Sequence, residues 1–129
     1  MELTISYSQL IVMNHEEKQP YVEWTDEDFE RGYAETDGTI IFETLSDYTC
    51  EIAAVVGKHV EKEGVMRTIS APFTVHNDGV YISSILSNKL HISIPQGAYI
   101  LVVQAIPLEE PTEDELYKVQ YELYFEERE

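Results

Sequence analysis

The chain has 129 residues, 43% of them hydrophobic, with 25 acidic side chains against eight lysines and arginines and a formal net charge of −17. This length buries one adequate core and not two, so a single domain over 1–129 is expected. The charge repels phosphate backbones and anionic lipid surfaces, which argues against direct nucleic-acid binding and membrane insertion; it attracts a positively charged protein partner, and it serves solubility equally well.

Leu3, Ile5 and Tyr7 alternate with Thr4, Ser6 and Ser8, and the phase then changes at Leu10 and Val12. A strand over 2–12 with a bulge near Ser8 or Gln9 accounts for the change. A polar loop over 14–19 runs to Pro20, and a short strand is expected over 21–23. The best helix start in the chain follows. Thr25 stands as N-cap, Asp26, Glu27 and Asp28 suit the positive end of the helix dipole, and Trp24 and Phe29 are spaced to pack across the cap as a hydrophobic staple. Asp28 occupies the position where a capping box prefers Glu or Gln. Gly32 ends or loosens the helix and Asp37-Gly38 makes a turn, which predicts a short helix of two or three turns near residues 26–35.

From Thr39 onward the period is two, with apolar runs over 39–44, 48–57, 65–75, 80–86, 89–94, 98–106 and 116–125. Asn77-Asp78-Gly79 and Pro95-Gln96-Gly97 are turn signals between neighbouring strands. In the last run Tyr117, Val119, Tyr121, Leu123 and Phe125 are expected inward, and Lys118, Gln120, Glu122 and Glu126 outward. The predicted fold is all-β, an antiparallel β-sandwich of about eight strands with one short helix, the acidic loop and last strand occupying 108–129.

Nearly all the acids fall within 16–63 and 109–129, and the intervening segment holds only Asp78, with Arg67 and Lys89 as its bases. This suggests a sided molecule, although a central pair of well-covered strands leaves the same gap. No run of about 18 apolar residues and no basic-then-apolar leader is present, so a cytoplasmic location is the default expectation. Cys50 sits in an apolar run and reads as a small hydrophobe. His15, His59, His76 and His91 are scattered, with His76 and His91 expected at strand ends or on outward faces, and no phosphate loop, nucleophile elbow or metal-ligand spacing occurs. No catalytic residue, metal or cofactor is therefore expected, and the run from Asp26 to Glu30 is explained by capping and dipole without a bound cation.

A sharper reading of the acidic run is mimicry of phosphates. Carboxylates held on a rigid scaffold can occupy the Lys and Arg side chains with which a nuclease holds its substrate. The residues expected to face such a partner, a nuclease with a basic substrate cleft, are Glu23, Trp24, Asp26, Glu27, Asp28 and Glu30. Trp24 serves either as an exposed anchor or as the buried staple of the helix. A small-ligand-binding or assembly sandwich is the alternative of another class.

The sequence resembles the bacterial competence protein J family along Leu3-Thr4-Ile5-Ser6-Tyr7, Glu23-Trp24-Thr25-Asp26-Glu27, Gly32-Tyr33-Ala34, Asp37-Gly38, Ala71-Pro72-Phe73, Ile85-Leu86-Ser87 and Pro95-Gln96-Gly97-Ala98-Tyr99, in order up to about Pro107. The family's characterised role is inhibition of the DNA-entry nuclease. The resemblance implies a cytoplasmic or membrane-peripheral inhibitor that binds a nuclease one to one, and it leaves room for the related role of an immunity protein against a nuclease toxin. It does not point to contact residues.

Overall fold

The apolar runs pair into two five-stranded sheets whose inner faces share one core. The computed structural model describes residues 1–14, 23–36, 38–85, 87–110, 113 and 116–128. Among them the elements are β1 (Glu2–Thr4), β2 (Gln9–Met13), α1 (Asp26–Arg31), β3 (Tyr33–Thr36), β4 (Thr39–Glu43), β5 (Thr49–Val56), β6 (Arg67–Val75), β7 (Val80–Ser83), β8 (Leu90–Ile92), β9 (Gly97–Pro107) and β10 (Val119–Glu127). One sheet has the order β1-β5-β10-β9-β6 and the other β3-β4-β2-β7-β8. The expected sandwich is present, with ten strands among the described residues. No helix there is long and apolar enough to cross a membrane.

The core follows from period-two alternation. On β6, Ile69, Ala71, Phe73 and Val75 point inward between exposed Thr68, Ser70, Pro72 and Thr74. They meet Tyr99, Leu101, Val103 and Ala105 of β9 and Val119, Tyr121, Leu123 and Phe125 of β10, with Leu10, Val12, Ile40, Phe42, Val80 and Ile82 supplied by the second sheet. Each large side chain so enclosed contributes about 1.5–3 kcal/mol. Pro72 lies on the edge strand β6, where its missing N–H costs no ladder bond. Asn14 ties the sheets together at one end: its amide donates to the Thr74 carbonyl (2.9 Å) and its Oδ1 accepts from the His76 N–H (2.8 Å).

Three local expectations are corrected. Residues 2–12 are two strands in different sheets, not one bulged strand: β1 pairs with β5, and β2 pairs with β4 and β7. The phase change is a switch of sheet, made through Tyr7 and Ser8, both at positive φ (57° and 56°). The helix has six residues rather than two or three full turns, because Gly32 adopts the left-handed conformation (φ 87°) and residues 33–36 pair with β4 instead of extending it. The turns at 77–79 and 95–97 join strands of opposite sheets, so they act as arches and not as hairpins. The expected loop over 14–19, the strand over 21–23, His15, Asp37 and most of the acidic loop over 109–115 fall largely outside the described residues.

The sheet is not wholly antiparallel, since β10 runs parallel to β5. With β10 antiparallel to β9 and β9 antiparallel to β6, strands β5 and β6 run in the same direction. Their link, residues 57–66, therefore has to cross a face of the sheet. The inner face is occupied, so it crosses the outer one, over β10 and β9. Here the expectation that Glu122 points to solvent fails: Glu122 is 4% exposed and Gln104 0%. Gln104 Nε2 donates to the Val60 carbonyl (3.1 Å) and to Glu122 Oε1 (2.6 Å), and Tyr124 Oη donates to the same oxygen (3.0 Å). Glu122 Oε2 accepts from Lys62 Nζ (2.6 Å) and Gln120 Nε2 (2.7 Å), while Glu126 accepts from the His59 N–H (2.7 Å). A crossing segment has no ladder to satisfy its backbone, and these side chains supply its partners. Burial opposes ionisation of Glu122, but the hydrogen bonds from Lys62, Gln104, Tyr124 and Gln120 outweigh it and hold the carboxyl below its usual range.

Candidate partner-binding surface

Helix α1 begins where Thr25 Oγ1 accepts from the Asp28 N–H (3.2 Å) and Asp28 Oδ2 accepts from the Thr25 N–H (3.0 Å), a complete capping box built with Asp. The Thr25 N–H holds the Asp28 carboxyl below the usual carboxylate range, against the effect of desolvation, with help from the Thr25 hydroxyl and the Arg31 guanidinium. Asp28 Oδ1 accepts from Arg31 Nη2 at 2.7 Å. Both oxygens are thus engaged within the chain and the residue is buried. Within the surface expected from sequence, Asp28 is the residue that holds the helix in place.

The other acids of that set point outward. Glu23, Asp26, Glu27 and Glu30 are exposed, and none makes an ion pair with a described residue. The arginines close to them in the fold are already engaged. Arg31 pairs with Asp28, donates from Nε to the Tyr33 carbonyl (3.0 Å) and lies 4.1 Å over the Tyr33 ring. Arg67 pairs with Glu43 at 3.1 Å. Four carboxylates, three on α1 and Glu23 just before its cap, therefore face solvent without an ion-pair partner among the described residues.

Trp24 forms the expected staple. Its ring packs on Ile11, Met13 and Ile41 on the outer face of the second sheet and lies 5.1 Å from the Phe29 ring, so the staple is formed. It is only partly buried, and its enclosed Nε1 has no hydrogen-bond partner. Phe29 is 58% exposed.

Tyr7, placed inward by the alternation, is turned outward and is 67% exposed. It shares with Ser8 the centre of a tight turn in which the Gln9 N–H reaches the Ser6 carbonyl (3.3 Å), with two positive φ values as in a type I′ turn. For residues with a Cβ this conformation costs about 1–2 kcal/mol each. The turn is pinned all round: Ser8 N–H donates to Asp47 Oδ1 (2.7 Å), the Ser8 carbonyl accepts from the Thr44 N–H (3.1 Å), and Ser84 Oγ accepts from the Ser6 N–H (2.9 Å) and donates to the Gln9 carbonyl (2.5 Å). Between this turn and α1 lies an open groove of about 430 Å³, walled by Tyr7, Trp24 and Phe29 with Glu43 and Thr44 alongside. The phase change after Ser8 was the signal for it, since a chain that switches sheets turns its corner residues outward.

Elsewhere the described residues offer no reactive centre of obvious design. No three His, Cys, Asp or Glu side chains among them are grouped to hold a metal ion. Cys50 is buried, and desolvation pushes its thiol up to about 12. His76 is exposed just past β6, and His91, exposed on β8, lies 5.0 Å from the Tyr81 ring.

The competence protein J family model matches residues 2–126, and so runs well past Pro107 into the last strand. The DNA-entry nuclease inhibitor of Bacillus subtilis (strain 168) is 34% identical over 108 residues, which is 84% of this chain and 82% of that one. A crystal structure described as ComJ, inhibitor of the DNA degrading activity of NucA, from Bacillus subtilis, superposes with a TM-score of 0.80 at 30% identity over 97% of this chain and 93% of that one. With nearly its whole length matched by family, sequence and fold, this chain belongs to the competence protein J family.

Proposed function

We propose that the chain is a protein inhibitor of a DNA-degrading nuclease, acting by association and not as an enzyme. Its relatives are named as inhibitors of such a nuclease. The contact surface in this reading is α1 and its approach: Glu23, Asp26, Glu27 and Glu30 present the charge, Trp24 the apolar margin, and Asp28 the cap that orders them. The supporting observation is that four exposed carboxylates stand unpaired beside arginines that are already neutralised. A nuclease binds DNA by neutralising phosphates with Lys and Arg, so a fixed array of carboxylates can occupy the same cations. Because the capped backbone that carries the carboxylates is ordered before binding, association costs little backbone entropy.

The test is titration of the purified protein into plasmid digestion by the NucA-type nuclease of the same organism. Inhibition should be complete near one equivalent, and association should slow as salt rises. The triple change Asp26→Lys, Glu27→Lys, Glu30→Lys should weaken inhibition by about a hundredfold while lowering the melting temperature by only a few degrees, since all three are exposed and the fold loses only the favourable dipole contacts of Asp26 and Glu27. Full inhibition by that variant would remove α1 from the contact. Unchecked digestion in excess wild-type protein would remove the function.

A further inference from the structure

We infer that the groove between the Tyr7 turn and α1 receives a basic side chain of the nuclease, gripped between the Tyr7 and Phe29 rings with the Glu43 carboxylate beside it. This rests on the function proposed above and adds to the acidic surface a specific anchoring pocket on another part of the chain.

Three observations converge on the groove. Tyr7 and Phe29 are 67% and 58% exposed, among the most exposed large apolar side chains in the described structure, and they come from elements far apart in sequence to wall one depression. Tyr7 is held there in a backbone conformation unfavourable to it, by hydrogen bonds with Thr44 and Asp47 of the β4–β5 connection and with Ser84 after β7. Asn-Gly would form this turn with less strain. A sequence that keeps a bulky aromatic at such a corner gives up stability in order to display the ring. Trp24 completes the wall, its ring seated on Ile11, Met13 and Ile41.

The occupant is set by charge. The groove joins aromatic faces to the Glu43 carboxylate, whose Oε1 is held by Arg67 (3.1 Å) and whose Oε2 makes no hydrogen bond with a described residue, and Asp26 stands nearby on α1, one helical turn before Phe29. A ring face attracts a guanidinium or ammonium group, and an adjacent carboxylate orients it. The chain already uses this chemistry internally: Arg31 lies 4.1 Å over Tyr33 and 2.7 Å from Asp28. An apolar occupant would have to approach through the uncompensated field of Glu23, Asp26, Glu27 and Glu30, whereas a cation is drawn in by it. A nuclease surface that handles DNA supplies such cations in abundance.

Inhibition constants against the same nuclease decide the matter for Tyr7→Asn, Tyr7→Phe, Phe29→Ala and, as a control on an exposed apolar residue at the far end of β5, Val56→Ala. Tyr7→Asn is chosen because Asn adopts positive φ readily, so the free protein should melt no lower than the wild type. We expect Tyr7→Asn and Phe29→Ala each to weaken inhibition by about thirtyfold, as central aromatic anchors do, while Tyr7→Phe stays within about threefold and Val56→Ala matches the wild type. Wild-type inhibition by Tyr7→Asn overturns the inference. So does a loss in Tyr7→Phe as large as that in Tyr7→Asn, since the hydroxyl and not the ring face would then be the anchor. If the lysine triple variant is weakened while Tyr7→Asn is not, the pocket falls and the acidic surface stands. If wild-type protein fails to inhibit, the functional reading falls first.

Discussion

Replacing Gly32 by alanine tests how α1 is held on the sandwich. Gly32 ends the helix at φ 87°, its N–H donating to the Asp28 carbonyl (2.9 Å) and its own carbonyl accepting from the Glu43 N–H (2.8 Å). A Cβ built there would stand 2.4 Å from Arg67 Nη2 and 2.9 Å from Ile69 Cδ1. Three costs follow. The left-handed conformation disfavours a Cβ by about 1–2 kcal/mol. Moving Arg67 away from Glu43 weakens a half-exposed ion pair worth about 0–1 kcal/mol, and displacing the buried Ile69 from its rotamer costs about 0.5–1.5 kcal/mol. Alanine recovers about 0.4–1 kcal/mol by restricting the unfolded chain. The net loss is about 2 kcal/mol, or about 8 °C in melting temperature for a domain of this size. Gly64→Ala separates the parts: Gly64 has the same φ of 87°, but its nearest neighbour, Ile106 Cγ2, would lie 3.9 Å from the new carbon. Calorimetry should show that variant melting only about 2–4 °C below the wild type, because it carries the backbone cost alone. Equal losses for the two would refute the packing component, and a Gly32→Ala protein melting within about 2 °C of wild type would refute the whole account.

Two further outcomes depend on buried groups. The folded state holds the Glu122 carboxyl below its ordinary value of 4.5, so its contribution to stability is complete above that pH and is lost as pH falls through the folded value. Glu122→Gln should therefore melt below the wild type at neutral pH and show a shallower decline under acid, read by thermal melts from about pH 6 to pH 3. Lys62, raised by its bond to Glu122, acts in the opposite sense, its contribution present below 10.5 and fading as pH rises through its folded value. Cys50, with its thiol pushed up to about 12, should resist an aromatic disulfide reagent at pH 8 in the native protein and react within minutes in concentrated urea. Fast native labelling would show that β1 and β5 separate readily.

What the sequence revealed and what it concealed divide along the range of the interactions. The inward set Tyr117, Val119, Tyr121, Leu123 and Phe125 was legible because alternation is a property of one strand, and all five are buried. The start of α1 was legible for the same reason: Thr25, Asp28 and the Trp24–Phe29 pair act within six residues, and the box and the staple both form. Its early end was not, because residues 33–36 are drawn into a sheet by β4, and that competition is tertiary. Glu122 looked solvent-facing because the outer face of a sandwich strand usually is. Only the parallel pairing of β5 with β10, between segments about 70 residues apart, sends the 57–66 crossover over that face and makes an ionised, fully hydrogen-bonded carboxylate useful there.

Tyr7 is the sharpest case, and it bears on function. Three apolar positions at period two placed it inside, and no Asn or Gly warned of a turn. The fold overrides the pattern at that one residue, with hydrogen bonds to two distant segments, and the result is an exposed ring facing the helix whose acids were singled out from sequence. Local patterning thus revealed where the charge stands, whereas the surface that gives that charge a defined seat exists only once residues 7, 29 and 43 have been brought together. An inhibitor relying on charge alone would attract any basic protein. In the binding mode proposed above, a rigid pocket beside the charge would supply the discrimination that a uniform field lacks.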